Sequence, residues 1–147
     1  LPDARERYTD DRRMPVLVRR VAFTTEEVSM KEGQEWVREF PVAVTVCDRS
    51  GTILEMNNRS VKAFEDDGGS ALIGTNVLDC HPARAREILQ RLLSEGKSNI
   101  YTIEKAGARK LIFQSPWYSE GEYSGLVEIS IPLPDIVPHF VRDDKTT

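Results

Sequence analysis

Pro41-Val42-Ala43-Val44-Thr45-Val46-Cys47-Asp48-Arg49-Ser50-Gly51-Thr52-Ile53-Leu54-Glu55-Met56 is the stretch that decides the fold class. Its first part is rich in β-branched residues and almost continuously apolar, as expected of a strand buried on both faces. Asp48 to Gly51 then reads as a turn, because an Asp side chain accepts from nearby amides and Gly tolerates positive φ. Thr52 to Met56 returns as a second strand, so the whole is a hairpin. Asn57 and Asn58 punctuate its end. Arg59 to Phe64 suits a short helix with Val61 and Phe64 turned inward.

Downstream, Glu65 to Ser70 reads as a loop, and Leu72-Ile73-Gly74 and Val77-Leu78 as brief apolar contacts between turns. The next helix has the clearest period. Ala85, Ile88, Leu89, Leu92 and Leu93 recur at i, i+3, i+4, i+7 and i+8, while Arg84, Arg86, Glu87, Gln90 and Arg91 face water. Pro82 suits its first position and Gly96 its end. Three strands follow: Asn99 to Lys105, Lys110 to Ser115, and Gly125 to Ile131, with Pro116, Trp117 and Tyr118 placed after the middle one. In the last strand Val127, Ile129 and Ile131 share one face, and Leu126, Glu128 and Ser130 the other.

Upstream, Ser29-Met30-Lys31-Glu32 matches a capping box, and Gly33, Trp36, Val37 and Phe40 fall on one helical face before Pro41 stops the helix. That stripe must cover something apolar, either the chain's own sheet or a second subunit. Residues 1–28 form a charged N-terminal arm, 29–40 the amphipathic flanking helix, 41–132 the folded domain and 133–147 a proline-punctuated tail.

Strands at both ends of a central helical region indicate an α+β fold with a five-stranded antiparallel sheet. From Phe40 to about Ile131 the chain resembles a PAS domain. The carriers are Pro41 to Ile53, Met56-Asn57-Asn58, Leu72-Ile73-Gly74-Thr75-Asn76-Val77-Leu78, and the closing strand Gly125-Leu126-Val127-Glu128-Ile129-Ser130-Ile131. The resemblance implies a sheet of order 2-1-5-4-3, with helices on its concave face enclosing a small cavity. It also implies a sensory or protein-interaction role, commonly as a dimer through the helix before the first strand. PAS domains bind haem, flavins or small metabolites, and some bind nothing.

Size and charge narrow the function classes. The 147 residues suit a single domain. The 20 Lys and Arg set against 24 Asp and Glu leave a net charge of −4, which offers no general attraction for nucleic acid. No apolar run reaches the ~18–20 residues of a membrane span. Two cysteines, Cys47 and Cys80, are too few for a disulfide scaffold, and Leu1 to Arg5 does not read as a secretory leader, so a reduced cytoplasmic setting is expected. The expected partners are a second copy of the chain, a small-molecule ligand and a signalling protein.

Candidate chemistry centres on Cys80-His81-Pro82, at the start of the long helix. His81 there is read as a capping or core hydrogen-bonding residue, a ligand contact or a haem ligand; Cys80 is the more plausible reactive thiol, with a helix N-terminus expected to lower its pKa. The flavin-adduct and thiolate-haem motifs of PAS proteins are not matched, so the cofactor stays undefined. The two Cys and two His lack a close-spaced zinc pair, and no metal is expected. Tyr101, Gln114 and Glu128 interrupt apolar strands and face either a cavity or solvent. With His81, Phe113 and Asn57 they form the candidate ligand-binding set; Trp36, Val37 and Phe40 form the candidate dimer surface. Gly-x-Ser-x-Gly, P-loop and dinucleotide-binding patterns are missing, and no enzymatic role is expected.

Overall fold

The computed structural model describes residues 35–142. A single helical turn, α1 (Glu35–Arg38), precedes β1 (Ala43–Asp48) and β2 (Ile53–Met56). Then come α2 (Asn58–Ala63), two 3-10 turns (Glu65–Asp67 and Gly69–Leu72), and α3 (Ala83–Glu95). A meander of β3 (Asn99–Lys105), β4 (Ala108–Ser119) and β5 (Glu122–Pro132) completes the domain. All strand pairs are antiparallel, in the order β2-β1-β5-β4-β3. The capping box at Ser29 to Glu32 and the arm lie outside the described residues.

Local chemistry explains the junctions. Asp48 Oδ1 accepts from Ser50 N (2.9 Å), Ser50 Oγ (2.7 Å) and Thr52 N (2.9 Å), which closes the β1–β2 turn. Those bonds, led by the Ser50 hydroxyl, hold the Asp48 pKa below its usual value. At the end of β2, Asn57 caps α2 through Oδ1 to Ser60 N (3.0 Å). The same oxygen accepts from Val44 N (2.9 Å), while Nδ2 donates to the carbonyls of Val42 (2.8 Å) and Val37 (3.1 Å). One buried amide therefore ties α1, β1 and α2 together.

Helix α3 begins one residue later than expected, with Pro82 at the cap position, and ends on Gly96 in the left-handed conformation. Its Leu89, Leu92 and Leu93 pack with Cys47 and Leu126 as the core. Ala85 is half-buried and Ile88 is exposed, so the inward stripe runs off the core at its N-terminal end. The Tyr123 hydroxyl donates to the Leu93 carbonyl (2.7 Å) and fastens the helix to β5.

Two expectations are corrected. Glu65 to Ser70 is largely 3-10 turn, because the Gly68-Gly69 pair adopts positive φ and lets the chain recoil at once. Pro116 does not end the fourth strand: β4 runs through it for 12 residues. β3 stops opposite Gln114, so beyond that point β4 has a strand on one side only, an edge position that tolerates proline. Further along, Gly125 takes φ of +151°, and a Cβ there would collide with the Cys47 carbonyl oxygen. That carbonyl accepts from the Trp117 indole Nε1 (2.9 Å), so the close approach locks β1, β4 and β5 at one end of the sheet.

Candidate functional site

The two faces of the sheet carry different chemistry. On the outer face, Val44, Ile129, Phe113 and Ile100 pair across four strands as an apolar row. On the inner face, the next register, Thr45, Glu128, Gln114 and Asn99, forms a polar row across the same strands. Strand alternation alone separates the two.

The polar row is internally bonded. Gln114 is buried; its Nε2 donates to Glu128 Oε2 (2.7 Å) and its Oε1 accepts from Asn99 Nδ2 (3.0 Å). At the other end the Thr45 hydroxyl meets that of Ser60, which is 0% exposed (2.5 Å). Such a row is what a buried polar strip requires, since each unpaired group would cost about 1–3 kcal/mol. It also fixes the side chains that face the helix.

Two spaces lie between this face and the helices. An inner cavity of about 40 Å³, lined by Cys47, Ile53, Phe64, Leu72, Gln114, Leu126 and Glu128, has room for about three waters and is too small for a haem or a flavin. The second is an open cleft of about 530 Å³ between α3 and the β3–β4 hairpin, within the range of small-ligand sites. His81, Leu89 and Gln114 border both. Ala85, Ile88, Arg84, Arg91, Asn99 and Tyr101 are among the residues that line the cleft alone.

His81 is held in one tautomer. Its Nδ1 lies 2.7 Å from the Val77 carbonyl, which can only accept, so Nδ1 carries the hydrogen and Nε2 is the lone-pair nitrogen of the neutral ring. Cys80 Sγ also donates to that carbonyl (3.2 Å). Burial of the thiol, with lesser contributions from Asp67, Asp79 and Glu128, raises its pKa, the reverse of the helix-terminus effect expected from sequence. Cys80 lies three residues before Ala83, the first residue of α3, too far for the helix amides to stabilise a thiolate. Burial likewise raises the Cys47 thiol and, with Glu128 adding to it, the Tyr101 hydroxyl. Among the described residues no three His, Cys, Asp or Glu side chains gather as a metal site, and no helix is long and apolar enough to cross a membrane.

Of the six residues singled out from sequence, His81, Tyr101, Gln114 and Glu128 line one or both spaces. Phe113 does not: it is next to Gln114 and therefore on the outer face. Asn57 does not either, because its whole amide is used in joining elements. Trp36 is 68% exposed and stacks edge-on against Phe40, ring centroids 5.7 Å apart; Val37 is half-buried. Arg84 and Arg91, on the water-facing side of the helix by their spacing, also border the cleft, and Thr45, Ser60 and Asn99 join the polar face without a signal in the local sequence. The signal for Thr45 and Asn99 is the cross-strand register, which exists only once the strand order is known, and Ser60 enters through the packing of α2 on Thr45.

Solved structures with the same architecture include the PAS domain of BvgS from Bordetella pertussis (18% identity, TM-score 0.56, 74% of this chain on 88% of that one). The PAS domain of an HTR-like protein from Haloarcula marismortui is similar at 21% identity and TM-score 0.50, with 74% of this chain on 93% of that one. A C-terminal domain from Streptococcus mutans aligns at 12% identity and TM-score 0.56, covering 70% and 84% of the two chains. No protein-family model and no curated protein matches the sequence.

Proposed function

We propose that this chain, a PAS-fold domain, is a non-catalytic sensory module that takes up a small molecule between α3 and the β3–β4 hairpin. The observation that carries the reading is the cleft itself. Roughly 530 Å³ opens onto apolar Ala85, Ile88 and Leu89 on one wall and polar Asn99, Tyr101 and Gln114 on the other. A non-catalytic role is supported by Cys80 and His81: the two adjoin, yet both give their hydrogens to the Val77 carbonyl, and the thiol is disfavoured as a nucleophile. A ligand lodged there would press on the hairpin and on α3, the elements through which occupancy reaches the surface.

A second reading, a ligand-free interaction module acting as a homodimer, is favoured by the outer face. Its apolar row ends at Ile100, 63% exposed, and the Trp36–Phe40 pair is unburied among the described residues. Native mass spectrometry and an absorbance spectrum of the purified chain, followed by titration with the neutral fluorophore N-phenyl-1-naphthylamine, test the first reading. A co-purifying molecule or saturable uptake of the fluorophore supports sensing; a clean protein that takes up nothing overturns it. Sedimentation of Trp36→Glu tests the second: a dimer that persists unchanged excludes that surface as the interface.

A further inference from the structure

We infer that the cleft takes a small carboxylate with an apolar body, its charge held by Arg84 and Arg91; the inference rests on the sensory reading above. Among the described residues, the charged side chains lining the cleft are the two arginines, and no Asp or Glu lines it. Among the described residues neither arginine forms an ion pair with a carboxylate: Glu87, three residues after Arg84 and four before Arg91, makes none, and Glu95 is held by Lys97 Nζ at 2.6 Å while the Arg91 charge also acts on it. Arg86, by contrast, turns its guanidinium back to the His81 carbonyl (3.3 Å) and lies outside the cleft.

Seven residues separate Arg84 from Arg91, about 10 Å along a helix, and both stand on the same side. Ile88 sits midway between them, so an arene or short alkyl body resting on Ile88 and Leu89 places its acid group within reach of a guanidinium. Across the cleft the Tyr101 hydroxyl and the Asn99 amide add donors, while the Gln114 amide is committed at both ends to Glu128 and Asn99. The Glu128 carboxylate lines the inner cavity and not the cleft; its charge is felt at the Tyr101 hydroxyl, but its Oε2 is taken by Gln114 Nε2, which stands between it and the arginine wall. Guanidinium groups bind carboxylates with paired, charge-assisted hydrogen bonds, whereas an amine of the same shape meets repulsion.

The test is displacement of N-phenyl-1-naphthylamine by three competitors that share one ring: phenylacetate, 2-phenylethanol and 2-phenylethylamine. Phenylacetate is expected to displace the fluorophore at concentrations at least about tenfold lower than the alcohol, and the amine to be weakest. The R84Q/R91Q variant keeps the helix, since Gln is a good helix former. It should still take up the fluorophore and lose the preference for the acid. Displacement by alcohol or amine as effective as by acid, or an R84Q/R91Q variant that retains the preference, overturns the inference and leaves the sensory reading standing. Failure of the fluorophore to bind at all removes both.

Discussion

Asn57 offers the sharpest test of how the domain is assembled. Replacing it by alanine removes the α2 cap, worth about 1 kcal/mol. It also strands the Val44 amide and the carbonyls of Val42 and Val37 in a site where Asn57 itself is 6% exposed. A buried amide left without its acceptor adds about 1–3 kcal/mol, so the total is about 3 kcal/mol, a large share of the ~5–15 kcal/mol typical of a domain. Urea unfolding followed by tryptophan fluorescence reads this as a midpoint lower by about 1–2 M at unchanged slope. Asn57→Asp separates the two halves of the amide. It keeps both acceptor bonds but puts a carboxylate oxygen where Nδ2 met the carbonyls at 2.8 and 3.1 Å. At neutral pH that variant should be no more stable than Asn57→Ala. Its carboxyl is favoured in the protonated form when folded, a raised folded-state pKa, so stability returns as pH falls through that raised value, is fully back below the ordinary carboxylate value of about 4, and is lost again as pH rises through the folded-state pKa. An Asn57→Ala protein within about 1 kcal/mol of the parent, or an Asn57→Asp protein indifferent to pH, would refute the bonding scheme.

Gly125→Ala should cost more than about 4 kcal/mol or abolish folding, because the new Cβ meets the Cys47 carbonyl and the backbone of Asp48; a near-normal urea midpoint would show that β1 and β5 are not so close. Asp48 carries a depressed folded-state pKa, so its contribution is fully present above the unfolded carboxylate value and fades as pH falls through the lower, folded one. Urea midpoints measured from pH 6 down to about 2.5 should lose part of their acid slope in Asp48→Asn, and equal slopes would discount the turn's hydrogen bonds.

Much of the architecture was legible in the sequence because it rests on local pattern. The β-branched run at Val42 to Cys47, the turn at Asp48 to Gly51 and the Ala85-to-Leu93 stripe each signal their element without help from distant residues. The alternation in β5 correctly set Glu128, on the inner register with Thr45 and Gln114, apart from Ile129, on the outer register with Val44 and Phe113. The site was harder. Phe113 and Gln114 both looked eligible for a cavity, yet neighbours in a strand cannot face the same side, and only the pairing of β4 with β5 says which one does. Asn57 carried a readable signal, an Asn immediately before a short helix, whose meaning is capping. Pro116 looked like a stop because proline usually is one. That it is not depends on where β3 happens to end, a fact set by another strand and not by the residue itself. The arginines of α3 gave no sign of bordering a cleft, since an exposed helical position looks the same whether it faces bulk water or a gap of molecular width.

β3 is the outermost strand, bonded to β4 alone, and six of its seven residues are exposed. It is also the wall of the cleft that carries Tyr101 and Asn99. The cheapest way for the domain to breathe is therefore to lift that border away from α3, leaving the Leu89–Leu126 interior intact. Movement at that border would alter the width of the cleft without disturbing the packed interior, so the two can change independently.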